Sequence, residues 1–162
     1  MRRQALYVRD ERGEFVPAGG EVVLAGAQAY LRTKVRRGIP LTSPRVVRDF
    51  LTVTLADRES EYFCLLLLDS RHRLLKFVEL FRGTIDRATV HVREVVKAVI
   101  EARAAAVVIV HNHPSQVTDP SSADELITRR LKEALDLIDV RVVDHLLVAG
   151  TEVVSFVERG LL

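Results

Sequence analysis

Residues 111–124 read HNHPSQVTDPSSAD, and two of the chain's five histidines stand in it one residue apart, directly after the apolar run Ala106–Val110. On a strand, residues two apart point to the same side, so His111 and His113 can converge on one ion. Neutral imidazole is a good zinc ligand. Asp124, eleven residues beyond His113, is a natural third ligand. Three protein ligands and an open fourth position describe zinc of the catalytic type. The same residues also allow a purely structural reading. Ser121-Ser122-Ala123-Asp124 has the form of a capping box, with serine capping a helix and the acidic residue reaching back, and two histidines in a loop can be surface polar groups.

The elements that must position this loop follow from apolar periodicity. The chain begins with a hairpin-like segment that has Gly13 as its turn, between Leu6-Tyr7-Val8 and Phe15-Val16. A helix follows from Glu21 to about Val35, and Gly38 with Pro40 then breaks the pattern, making residues 1–40 an N-terminal extension and 41–162 the main domain. Ser43-Pro44 opens a helix, with Val46, Val47, Phe50 and Leu51 at helical spacing. Tyr62–Leu68 and Leu74 to about Phe81 read as strands, the first covered on both faces. Arg93–Ala104 is an amphipathic helix with Val95, Val96, Val99 and Ile100 inward. Ala106–Val110 is a short buried strand running into His111, at the sheet edge where α/β folds tend to hold ligands. Ser121 starts another helix with Asp124, Ile127, Leu131, Leu135 and Ile138 along one stripe. Two strands near Arg141–Val148 and Val153–Val157 close the chain. The order β-β-α-β-α-β-β after the opening helices predicts an α/β fold, a mixed sheet with helices packed on it.

At 162 residues the chain is sized for one domain with a real core. Its net charge of +2 does not announce a nucleic-acid partner, and the basic clusters Arg2-Arg3, Lys34–Arg37 and Arg129–Lys132 read as solvated helix faces or ends. The single cysteine, Cys64, excludes an internal disulfide and a Cys-rich zinc cage. It sits within YFCLLLL as a small buried hydrophobe. The first residues carry no long apolar stretch of signal-peptide type, and no apolar run approaches the ~20 residues that cross a bilayer. The expectation is a cytoplasmic protein without a membrane partner.

The full spacing His111-x-His113-x7-Ser121-x2-Asp124 matches the JAMM motif of the MPN-domain metalloproteases. The flanking stretches Phe81-Arg82-Gly83-Thr84-Ile85-Asp86, Arg93-Glu94-Val95-Val96-Lys97, Ala104-Ala105-Ala106-Val107 and Phe156-Val157-Glu158-Arg159-Gly160-Leu161-Leu162 resemble RadC-type proteins. The resemblance covers about residues 38–162, and residues 1–37 stand where a helix-hairpin-helix region often precedes the RadC domain. It implies an MPN-like mixed sheet sandwiched by helices, with zinc held by His111, His113 and Asp124 at the end of a buried central strand. It further implies a zinc-dependent metallohydrolase, a peptidase or isopeptidase, in which a zinc-bound water attacks the carbonyl of a protein or peptide substrate. In that scheme an upstream glutamate accepts the water's proton, and Ser121 donates a hydrogen bond to the oxyanion.

The resemblance places the acidic residue at position 78, which is Val78 here, with Glu79 beside it. An offset of one residue turns a strand side chain to the opposite face. Glu79 is therefore the candidate base only if a β-bulge rotates it toward the metal; otherwise the site binds metal and hydrolyses poorly. Gln116 stands where such proteins usually have glycine, and Val92 where they have proline. His145, in Val143-Asp144-His145-Leu146, is read either as a hydrogen-bonded structural histidine or as a metal residue, and His72 and His91 as ordinary surface or edge residues. Two rival functions remain, a DNA-associated accessory or repair protein and a non-catalytic zinc-binding interaction module. Low net charge and the missing hairpins give the first little support. An HNH nuclease does not fit, because its residues are spread along a ββα hairpin. A zinc deaminase does not fit either, because it needs a Pro-Cys-x-x-Cys pair.

Overall fold

A computed structural model describes residues 6–83 and 90–162; Arg2-Arg3 and Thr84-Ile85-Asp86 lie outside them. The chain opens with the antiparallel hairpin β1 (Tyr7–Arg9) and β2 (Phe15–Pro17). Asp10 builds its turn by accepting the Arg12 and Glu14 N–H groups, both at 2.9 Å. Gly13 takes the left-handed φ of 85° in that turn. Helix α1 (Gly20–Lys34) buries Leu31, and together with Val35 that side chain joins the core beneath α2 (Pro44–Leu55). Ser43 Oγ accepts the Val46 N–H, and Pro44 occupies the first turn, where a missing donor costs nothing.

Strands β3 (Glu61–Leu68), β4 (Leu74–Gly83), β5 (Ala106–Asn112), β6 (Arg141–Ala149) and β7 (Glu152–Ser155) form one mixed sheet in the order β4-β3-β5-β6-β7. β3 runs antiparallel to both neighbours, β5 and β6 are parallel, and β7 returns antiparallel to β6. Parallel neighbours need a long crossover, which α4 (Ser122–Asp136) supplies; α3 (Val92–Ala102) joins β4 to β5.

Alternate residues of β3 and β5 divide between two cores. Cys64, Leu66 and Leu68 with Val108 and Val110 meet Phe50, Leu51 and Leu55 of α2. Phe63, Leu65 and Leu67 with Val107 and Ile109 meet Val95 and Val99 of α3 and Leu131 and Leu135 of α4. With helices on both faces, β5 is buried throughout, which is why its sequence is continuously apolar rather than alternating. The expected helix stripes are narrower in the fold. Ile100 is 60% exposed, because α3 presents its Val95–Val99 ridge to the sheet and one residue further on turns the side chain by about 100°. Ile138 lies past the end of α4 and faces outward.

Candidate metal centre

β5 carries His111 to the end of the central strand, fully buried. The His113 N–H donates to the Val148 carbonyl at 2.9 Å, so β6 continues to hold the chain one residue past the strand. The loop then returns to α4, whose N-cap is Ser121. Both halves of the capping box are made: the Asp124 N–H donates to Ser121 Oγ at 3.2 Å, and the Ser121 N–H donates to Asp124 Oδ2 at 2.8 Å. The cap fixes Asp124 on the first turn, facing the histidines. His111 Nε2 lies 3.4 Å from Asp124 Oδ1 and His113 Nε2 3.5 Å from Oδ2, with the two Nε2 atoms 3.3 Å apart. Tetrahedral zinc with bonds of about 2.0–2.1 Å sets its ligand atoms about 3.3 Å from one another. Each histidine nitrogen stands at about that spacing from its neighbour and from one of the two carboxylate oxygens, and one ligand atom from each residue lies within 4.8 Å of the other two. The histidine-carboxylate donor set suits such an ion.

Each ring is oriented from behind. His113 Nδ1 donates to the Val117 carbonyl at 2.8 Å, and a carbonyl can only accept, so in the neutral ring Nε2 keeps its lone pair for a ligand. His111 Nδ1 is 2.8 Å from His145 Nε2. Burial pushes the Asp124 carboxyl upward, but hydrogen bonds with His111, His113 and Ser121 outweigh it and hold the group well below the usual carboxylate range. The bond with Asp124 raises the His113 pKa against the opposing effect of burial. Burial drives His145 well below its ordinary value, and the neighbouring His111 adds to this. His145 is thus a neutral ring behind the centre, outside the ligand group His111, His113 and Asp124.

The structure does not bring Glu79 to this group. β4 does contain a bulge: Phe63 faces Phe81 while Cys64 faces Glu79, leaving Leu80 as the extra residue. The bulge follows Glu79, so it turns Leu80 and Phe81 together toward the α3 side and leaves Glu79 opposite Cys64 on the α2 side. There Arg58 Nη2 reaches Glu79 Oε1 at 3.4 Å. Val78 pairs with Leu65 and packs into the α3-side core.

The carboxylate that the fold does place beside the triad is Glu61, which the sequence reading missed. Glu61 opens β3 two residues before Phe63, and Phe63 is the register partner of His111. Period-two alternation puts Glu61 on the His111 side of the sheet. Burial raises its pKa; His111 and His113 oppose that rise and Asp124 reinforces it, so the charges acting on Glu61 are those of the centre itself. Asn112 locks this strand start. Its Oδ1 accepts the Tyr62 N–H at 2.8 Å and its Nδ2 donates to the Ser60 carbonyl at 3.1 Å, clasping the backbone on either side of Glu61. The available signal was an acidic residue on the correct parity of an otherwise apolar strand; which strand lies next to β5 was not legible from local pattern.

Ser121 is exposed at the mouth of the centre and its hydroxyl donates to Asp124 Oδ2 at 2.6 Å. The cap and the ligand position are thus made by the same residues. Gln116 adopts φ 59°, the left-handed conformation that glycine would hold without strain. His72 pairs with Arg141 at 2.6 Å, distant in sequence from the loop, and His91 is the exposed N-cap of α3.

Among the described residues no helix is long and apolar enough to cross a membrane. Residues 41–161 match the family described as RadC-like JAB domain. A UPF0758 protein of Shewanella denitrificans is 54% identical over 154 residues, covering 91% of this chain and 68% of the relative. A UPF0758 protein of Shewanella amazonensis is 59% identical over 126 residues, covering 78% and 56%; one of Shewanella oneidensis is 54% identical over 134 residues, covering 83% and 60%. The matched part spans between 56% and 68% of these relatives' own lengths. With the motif, the mixed sheet and the His-His-Asp group agreeing with that match, the chain belongs to the RadC-like JAB domain family.

Proposed function

We propose that residues 41–162 form a zinc-dependent peptidase or isopeptidase, carried on an N-terminal extension of residues 1–40, with Glu61 rather than Glu79 as its proton-transfer group. The observation that supports this reading is the convergence of His111 Nε2, His113 Nε2 and the Asp124 carboxylate, each histidine within 3.5 Å of one of its two oxygens, with Glu61 on the same side of the sheet. Zinc held there supplies a Lewis acid that polarises a carbonyl and brings the pKa of water toward neutrality. Glu61, raised by burial from the ordinary carboxylate range, is suited to take a proton from the attacking water. The same carboxyl then returns the proton to the leaving amine. Ser121 Oγ, at the mouth of the centre, has one proton to donate to a developing oxyanion if it turns from Asp124 Oδ2. Asp124 and the two histidines fix the geometry, and a protein or peptide is the expected substrate.

The test is a comparison of Glu61→Gln and Glu79→Gln on a panel of peptide and isopeptide substrates, with zinc content measured in parallel. Glu61→Gln should keep its zinc and lose roughly 100-fold or more in turnover, while Glu79→Gln should behave as wild type. Asp124→Ala should lose the zinc. Full activity in Glu61→Gln, or a wild-type protein that holds no zinc, would overturn the proposal.

A further inference from the structure

We infer that His145 and Thr128 are positioning residues for the metal centre, forming a one-directional hydrogen-bond chain that leaves Nε2 of the neutral His111 ring bare and ties that ring to the backbone of Asp124. The inference rests on the reading of His111, His113 and Asp124 as metal ligands.

The direction of the chain follows from a group that can only accept. Thr128 Oγ1 lies 2.5 Å from the Asp124 carbonyl oxygen and 2.6 Å from His145 Nδ1. The hydroxyl has a single proton, and the carbonyl has none to give, so that proton goes to the carbonyl. Thr128 must then accept from His145, which places the imidazole proton on Nδ1. His145 is fully buried among Phe63, Phe156 and His111, with no anion among the described residues in hydrogen-bond contact with its ring, so the neutral form is favoured. Its Nε2 is therefore an acceptor, and His111 Nδ1, 2.8 Å away, must donate to it. The remaining His111 nitrogen, Nε2, is the one that faces Asp124 and His113.

A defect in the sheet makes this possible. β6 pairs with β5 through Val142 opposite Val107 and then Asp144 opposite Val108, so Val143 is an extra residue. Without that bulge, alternation from the inward Val142 would turn His145 to the α2 side. With it, His145 lies opposite Ile109 on the α4 side, directly behind His111. Phe156 stacks on the ring at 4.3 Å between centroids, and the Asp144 carboxylate accepts the His145 and Val157 N–H groups, holding the bulge in place. The chain thus joins β5, β6 and α4, the elements that carry or support the ligands.

Thr128→Val keeps the shape and removes the acceptor, whereas Thr128→Ser keeps it. Zinc affinity measured by chelator competition should fall about 10–100-fold in Thr128→Val and stay within about threefold of wild type in Thr128→Ser. Imidazole 15N spectra of the zinc-loaded wild type should show the His145 proton on Nδ1, a readout that needs no variant to fold. Wild-type affinity in Thr128→Val, or a His145 proton on Nε2, overturns the chain while leaving the metal centre intact. A wild-type protein that binds no zinc overturns both.

Discussion

Gln116 turns the loop between His113 and Asp124 at a backbone angle that few side chains tolerate, φ 59°. A non-glycine residue there is strained by roughly 1–2 kcal/mol. Its side chain lies over Gly150, where an added Cβ would meet Gln116 Oε1 at 3.1 Å, so part of the strain is returned by contact with the β6–β7 turn. Gln116→Gly should therefore raise stability by about 0.5–1 kcal/mol, read from the denaturant midpoint, with zinc affinity unchanged. Glu61 shows the opposite situation, an acidic residue whose ionisation is made costly by burial, which is what the proposed proton-transfer role calls for. Neither property is visible in the residue letter, since each comes from the backbone angle or the neighbours that folding supplies.

At the level of elements, two bulges sort the side chains of the centre. The one at Leu80 leaves Glu79 on the α2 side, and the one at Val143 brings His145 to the α4 side. A single extra residue reverses the facing of all that follow. The start of β3 is clasped by Asn112, buried between the two histidines. Asn112→Ala should cost about 2 kcal/mol, since it removes two hydrogen bonds and strands their backbone partners. It should also lower turnover by about tenfold or more while zinc is retained, because it loosens the strand that carries Glu61 and not the ligands. Metal analysis alongside steady-state kinetics checks this; parallel loss of zinc would count against the separate role given to Asn112.

Over the whole molecule, the centre couples pH to stability. In the metal-free protein His113 has a raised pKa, so its stabilising effect is complete below the ordinary value of about 6.5 and is lost as pH rises through the raised one. Asp124 is depressed, so its contribution is present above the ordinary carboxylate range of about 3.9 and fades only as pH falls through its own lower value. Glu61 is raised, and its ionisation also destabilises the native state with rising pH. Asp124 contributes equally at pH 5.5 and pH 8, and the signs of His113 and Glu61 give a metal-free protein that melts a few degrees higher near pH 5.5 than near pH 8. Zinc reverses the trend, because its ligands must be free of protons. The rise in melting temperature on adding zinc should be larger at pH 8 than at pH 5.5. Asp124→Asn should abolish that rise, and equal zinc shifts at the two pH values would contradict the assignment.

The elements were legible because each rests on local chemistry. Ser43-Pro44 caps α2, the Ser121–Asp124 box caps α4, and continuous apolar runs mark β3 and β5. The His111, His113 and Asp124 group was legible for a related reason. Two lie two apart at a strand end and the third follows a capping serine, so short-range periodicity already aims them at one point. Glu61, His145 and Thr128 were decided by the tertiary structure. Their roles depend on which strand neighbours β5, where the sheet slips register, and which helix turn lies over it. Those are long-range choices made by packing two cores against one sheet, and no local spacing encodes them.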